Sequence, residues 1–147
     1  MRQASHAEAI RRARTCYDHL AGRLGVAVLD ALIDSGTLRV EPDPAGQIDP
    51  VLGAGRARRY VLTAVGRTDL GRLGVHLEAT GRRPLTRYCV DWSEQRPHLA
   101  GALGGALLER FVSLGWVIRG ERRVVRVTEA GRTGLVRDLG IDPAALA

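Results

Sequence analysis

Apolar residues recur at intervals of three and four over Ile10, Ala13, Tyr17, Leu20, Ala21 and Leu24, while Arg11, Arg12 and Arg14 fall mostly off that line. This spacing predicts an amphipathic first helix. Ser5-His6-Ala7-Glu8 ahead of it has the form of a capping box, so the helix is expected to start there. Gly22 and Gly25 allow a corner, and the apolar run from Val26 to Ile33 predicts a second helix closed by Ser35-Gly36, with Gly36 as a left-handed cap. Leu38-Arg39-Val40 and Arg59-Tyr60-Val61-Leu62 read as paired strands. Pro42, Pro44, Gly46, Pro50, Gly53 and Gly55 between them exclude regular structure and predict a long wing. Thr63 is positioned to cap a third helix that ends at Gly74.

The same alternation returns downstream. Pro84 to Tyr88 leads into Cys89-Val90-Asp91-Trp92, and Pro97 suits the first turn of a helix, where its missing amide costs nothing. Leu99, Ala102, Leu103, Ala106, Leu107, Phe111 and Leu114 make the clearest amphipathic stripe in the chain, stopped by Gly115. Trp116 to Arg119 and Arg122 to Val127 then predict a tight hairpin about Gly120-Glu121, and Thr128 caps a last helix ending at Gly140.

These similarities extend to identity. His19-Leu20-Ala21-Gly22-Arg23-Leu24-Gly25 and His98-Leu99-Ala100-Gly101-Ala102-Leu103-Gly104 match at six positions of seven, and each copy follows a Cys-X-Asp. Thr63-Ala64-Val65-Gly66-Arg67-Thr68 is echoed by Thr128-Glu129-Ala130-Gly131-Arg132-Thr133. We read this as an internal duplication. The fold class expected is α+β, mainly α, with two pseudo-repeated winged-helix-like halves sharing a core. The first half is residues 1–77, the connection 78–83 and the second half 84–147.

Composition narrows the partners. All 22 basic residues are arginine, and a net charge of +6 with a sequence pI near 10.5 favours an anionic partner, duplex DNA first. Arg56, Arg58 and Arg59 at the root of the long wing and Arg119, Arg122, Arg123 and Arg126 on the short one are the candidates to neutralise phosphates. The second helix carries only Asp30 and Asp34 as charges, so it lacks base-reading groups and is expected in a core or a dimer interface. Uncovered apolar surface on the first two helices predicts a homodimer. Two cysteines in equivalent places are too few for a secreted disulfide framework, which points to a reducing, cytoplasmic setting. No apolar run approaches the ~20 residues of a membrane helix.

Cys16-Tyr17-Asp18-His19-Leu20-Ala21-Gly22, together with the segment from Cys89-Val90-Asp91-Trp92 to His98-Leu99-Ala100-Gly101, resembles the C-terminal region of bacterial winged-helix repressors of the ArsR family. The resemblance covers nearly the whole chain. It implies a transcription regulator that acts as a homodimer and responds to a metal or small molecule. In that family a winged-helix domain with a polar reading helix precedes the Cys-Tyr-Asp-His segment. This chain is therefore expected to be either a truncated regulator or a dimerisation and effector-sensing module without sequence-specific DNA binding.

Two readings of the repeated polar residues stand side by side. Cys16 and His19, spaced to share a helix face, form half of a metal site, and Cys89 and His98 supply the other half; thiolate with imidazole suits zinc or another thiophilic metal. Alternatively, the cysteines are apolar filler and each histidine bonds a carbonyl. Tyr17, Asp18, Asp91 and Trp92 could line a ligand pocket between the halves. Asp18 and Asp91 could also be drawn as an acid–base pair, yet no phosphate loop, Gly-X-Ser-X-Gly or His-Glu-X-X-His accompanies them, so no enzyme is expected.

Overall fold

A computed structural model describes residues 2–42, 58–77 and 84–147, with side chains from Ser5 onward. The order is α1 (Arg2–Arg12), β1 (Arg14–Cys16), β2 (His19–Ala21), α2 (Gly22–Asp34), β3 (Leu38–Pro42), β4 (Arg58–Leu62) and α3 (Ala64–Leu73). It continues with β5 (Arg87–Val90), β6 (Pro97–Ala100), α4 (Gly101–Ser113), β7 (Val117–Arg119), β8 (Val125–Val127) and α5 (Glu129–Leu139), followed by a 3-10 turn at Pro143–Leu146. The succession hairpin, helix, hairpin, helix thus occurs twice. Each hairpin is its own two-stranded antiparallel sheet.

The expected first helix is two elements. It begins at Arg2 and not at Ser5, and it stops at Arg12, because residues 14–21 turn back on themselves as β1 and β2. Tyr17 in the turn has φ 59, which a right-handed helix cannot accommodate. α2 accordingly starts at Gly22, four residues before the expected Val26, and what precedes it is a hairpin and not a helix. Pro97 likewise heads strand β6 opposite Val90, where a missing amide is tolerated, and is not the first turn of a helix. α4 begins at Gly101, whose φ of 85 matches that of 75 at Gly22.

The short wing also differs from its expected form. Residues 120–124 join β7 to β8 through a 3-10 turn, with Arg122 and Arg123 at φ 50 and 68, so the connection is longer than the two-residue turn Gly120-Glu121. The long wing between β3 and β4, with Arg56, and the connection at 78–83 lie outside the described residues.

Both Thr-X-X-Gly motifs make the same joint. The Thr63 hydroxyl donates to the Gly36 carbonyl (2.7 Å) and accepts from the Gly66 amide (2.9 Å), and Thr128 does likewise with Gly115 (2.6 Å) and Gly131 (3.0 Å). The glycine is required because the helix start presses onto the preceding hairpin. A Cβ at Gly66 would lie 2.3 Å from the Thr37 carbonyl oxygen, and one at Gly131 would lie 2.0 Å from that of Trp116.

The core is shared by both halves. α2 packs against β6 and α4 against β2, with β2 and β6 in contact between them. Leu24, Leu29, Leu103, Leu108, Phe111 and Leu135 are wholly buried, each contributing roughly 1.5–3 kcal/mol of transfer free energy where fully removed from water. Val26, Val28, Leu29 and Leu32 of α2 are covered within the chain, so the apolar surplus expected to drive dimerisation from this helix is used internally. Among the described residues the exposed large apolar ones, Tyr17, Val40, Val65, Trp92 and Ile118, lie in five different elements and turns.

Candidate metal centre

A hairpin places directly opposed residues on one face, with Cβ atoms ~5 Å apart. The register of β1 and β2 pairs Cys16 with His19, and that of β5 and β6 pairs Cys89 with His98. Each hairpin therefore presents one thiol and one imidazole together, by cross-strand pairing and not by the helix spacing expected for Cys16 and His19. The contact of β2 with β6 brings the two faces together. One ligand atom from each of Cys16, His19, Cys89 and His98 lies within 4.8 Å of all the others.

Close approach depends on two glycines of the repeated motif. A Cβ at Gly25 would sit 3.5 Å from the His98 Cβ and 2.6 Å from the Leu20 carbonyl oxygen; one at Gly104 would sit 3.2 Å from the His19 Cβ and 2.6 Å from that of Leu99. Each helix thus rests its glycine on the histidine of the other half.

The imidazoles face each other edge on, with Nε2 to Nε2 at 3.1 Å. Their other nitrogens meet carboxylates: His98 Nδ1 lies 3.0 Å from Asp91 Oδ2 and His19 Nδ1 lies 3.3 Å from Asp18 Oδ1. An ionised carboxylate only accepts, so each Nδ1 faces it as a donor, and in a neutral ring so bonded Nε2 carries the lone pair, which leaves the facing Nε2 atoms placed to share a proton or a metal ion. Carboxylate–imidazole pairs of this kind orient histidine ligands at metal sites.

Asp91 is 0% exposed and serves as a hub. Oδ1 accepts from Arg14 (2.9 Å), the Ser93 hydroxyl (2.8 Å) and the amides of Ser93 (3.0 Å) and Glu94 (3.1 Å), while Oδ2 takes the Gly22 amide (2.6 Å) besides His98. Burial alone would raise its carboxyl, but the bonds from His98, Gly22, Ser93 and Arg14 outweigh that and hold it far below the usual carboxylate range. Burial, with the Cys16 thiol beside it, pushes the Cys89 thiol up to about 11 in the absence of metal.

Sequence reasoning missed Arg14, which is 3% exposed, bonds Asp91 and Ser93, and has its guanidinium 4.3 Å over the Trp92 ring. A signal existed: Arg14 and Arg87 each stand two places before a cysteine of the duplicated pair. Tyr17, Asp18, Asp91 and Trp92, expected to line a pocket, differ widely in burial. Asp91 is enclosed and fully bonded, whereas the rings of Tyr17 and Trp92 are 86% and 65% exposed.

The candidate phosphate contacts divide as well. Arg59 pairs with Glu41 (2.7 Å) and Arg119 with Glu109 (2.5 Å), both on the surface. Arg58 opens β4. Arg122, Arg123 and Arg126 are exposed on the short wing, with no carboxylate partner among the described residues. Among those residues no helix is long and apolar enough to cross a membrane.

No protein-family model and no solved structure matches the chain. Over 132 residues it is 35% identical to an uncharacterized HTH-type transcriptional regulator, YdfF, of Bacillus subtilis (strain 168), an alignment that covers 88% of this chain and 52% of that protein. The chain spans about half the length of the curated relative it matches.

Proposed function

We propose that the chain is part of a non-enzymatic transcriptional regulator of the ArsR type, with a winged-helix-like arrangement in each half, which acts as a homodimer on duplex DNA and responds to a metal or small-molecule effector. The observation that carries this reading is the 35% identity to a protein named as an HTH-type transcriptional regulator, sustained over 88% of the chain.

Within that reading the geometry favours a dimerisation and effector-sensing module. α2, in the position where a reading helix would lie, is buried along eight of its residues; its charged side chains are Asp30, Asp34 and Arg23, and Arg23 is engaged with Glu8 and Glu94. Arg122, Arg123 and Arg126 can contact phosphates, which position a protein without specifying sequence. A small-molecule effector has a cleft of about 430 Å³ between α2, α3 and α5, lined by Leu32, Thr37, Asp69, Leu70, Arg72 and Arg137 among others, a size suited to such ligands.

The test is anisotropy of labelled duplexes over a salt series. The expected result is weak binding with little sequence preference and a log–log slope of roughly −0.9 per phosphate contacted. Replacing Arg122 and Arg123 by Ala should flatten the slope by about one to two units. Nanomolar, salt-tolerant binding to one operator by this chain would replace the module reading with that of a complete reader. Sedimentation at micromolar concentration reads the dimer, and a monomer there removes that part of the proposal.

A further inference from the structure

We infer that Cys16, His19, Cys89 and His98 hold one zinc-class ion as a permanent clamp between the two halves, so that the metal is a structural part of the fold and not the exchangeable signal. This goes beyond the regulator reading and does not depend on it.

The donor set fixes the class of metal. Two thiolates and two imidazoles are the ligands of tetrahedral, thiophilic, redox-inert zinc, with Zn–N about 2.0–2.1 Å and Zn–S about 2.3 Å. Two nitrogens on one tetrahedral ion stand about 3.3 Å apart at those bond lengths, and the two Nε2 atoms here are 3.1 Å apart. All four donors fall within 4.8 Å of one another, so small side-chain rotations suffice to close the site. Carboxylate-rich ions such as calcium and magnesium have no counterpart to this donor set.

The surroundings decide between clamp and sensor. Four protein ligands complete a tetrahedron and leave no open position, which marks structural centres and not catalytic ones. Two ligands come from the 14–21 hairpin and two from the 87–100 hairpin, so the site exists only when the halves are docked, and metal binding becomes part of folding. His98 and His19 are buried. Behind His98, Asp91 fixes the ring and is itself fixed by Arg14, Gly22 and Ser93, from both sides of the junction. Behind the histidines stand the helix glycines Gly104 and Gly25, whose added Cβ atoms would lie 3.2 Å from the His19 Cβ and 3.5 Å from the His98 Cβ. An ion that leaves quickly needs ligands that can move away, and these are braced by the core.

The experiment uses the full chain, purified without chelator. Elemental analysis is expected to find about one zinc per chain, retained through hours of dialysis against EDTA and released within minutes once a thiol-blocking mercurial or denaturant is added. Refolding with cobalt should give the intense visible d–d bands of a tetrahedral ion together with sulfur-to-cobalt charge-transfer absorption in the near ultraviolet. Cys16→Ser and Cys89→Ser should each weaken that charge-transfer band and speed zinc loss at least tenfold. Asp91→Asn, which removes no ligand, should raise the dissociation constant by about 10–100-fold. Should either serine variant fail to fold, zinc retention and cobalt spectra of His19→Gln serve the same purpose. Zinc bound at one per chain but exchanging within seconds, with DNA affinity following its loss, would overturn the clamp in favour of a sensor. Absence of stoichiometric metal, with no stabilisation on adding zinc, would overturn the site itself. Failure to bind DNA would count against the regulator reading and leave the clamp standing.

Discussion

The two cysteine–histidine hairpins perform one task with different means. In the first, two residues separate Cys16 from His19, the turn is tight, and the carboxylate beside the histidine is Asp18, a third exposed and 3.3 Å from the ring. In the second, eight residues separate Cys89 from His98, and the extra length folds around Asp91: Ser93 and Glu94 bond its side chain, and Gln95 donates its amide to the Asp91 carbonyl (2.8 Å). The insertion converts a carboxylate at the rim into one that reaches the other half through Arg14 and Gly22. Equivalent positions in a repeated motif therefore need not carry equivalent energy.

The sharpest way to break that comparison is to remove the two carboxylates in turn. Asp91→Ala leaves the Arg14 guanidinium buried without its partner and should cost roughly 3–5 kcal/mol, whereas Asp18→Ala should cost about 1 kcal/mol or less. Urea unfolding measures both, and comparable losses would mean that the insertion adds no anchoring. Next come the glycines. Gly25→Ala and Gly104→Ala drive a methyl group into backbone carbonyls at 2.6 Å and should each cost about 1–3 kcal/mol, with metal retention falling alongside. Gly36→Ala and Gly115→Ala meet nothing within 4 Å and pay only for a left-handed backbone, about 1 kcal/mol. Thermal melts that rank the two pairs the other way would show that the helix starts do not press on the Leu20 and Leu99 carbonyls as described.

A smaller effect is expected at the caps. Thr63→Ala and Thr128→Ala remove matching bonds of 2.9 and 3.0 Å and should lower stability by similar amounts, about 1 kcal/mol each; a loss confined to one would separate the halves energetically. The smallest signal is in pH. In metal-stripped protein the Cys89 thiol is raised from its ordinary 9.0 to about 11, so the folded state keeps a proton that the unfolded chain loses. Its contribution is complete below pH 9 and disappears as pH rises through 11. Stability of the stripped chain should decline across that window, and Cys89→Ser should flatten the decline. Asp91 acts in the opposite sense: depressed in the folded state, it stabilises above the ordinary carboxylate range and loses that effect only in strong acid.

The helix caps and the grouping of Cys16, His19, Cys89 and His98 were legible in the sequence, the first from local patterns and the second from the duplicated motif. Thr63 and Thr128 cap where the Thr-X-X-Gly motif places them, and Gly36, Gly74, Gly115 and Gly140 end their helices with positive φ. The two cysteine–histidine hairpins were not legible, unlike β3–β4 and β7–β8. Strands of three and four residues are too short to show a period of two, and Ala13, Tyr17, Leu20 and Leu24 happen to satisfy the helix period. The clue lay in the two residues between Cys16 and His19, enough for a hairpin turn, followed by a glycine at Gly22. The pairing of Arg14 with Asp91 was not legible for another reason: the bond spans 77 residues, and a single sequence carries no record of which buried charge meets which.

The crossed packing of α2 on β6 and α4 on β2 also bears on synthesis. A nascent chain emerges from its N-terminus, so α2 is made long before Pro97–Ala100, the strand that covers it. Until then Val28, Leu29 and Leu32 have no complete shelter, and the growing chain presents a sticky helix to its surroundings. Translation pauses or chaperone contact should matter most while residues 35–96 are being added. A chain cut short before β6 should aggregate or be degraded, even though it contains an entire hairpin–helix–hairpin–helix unit.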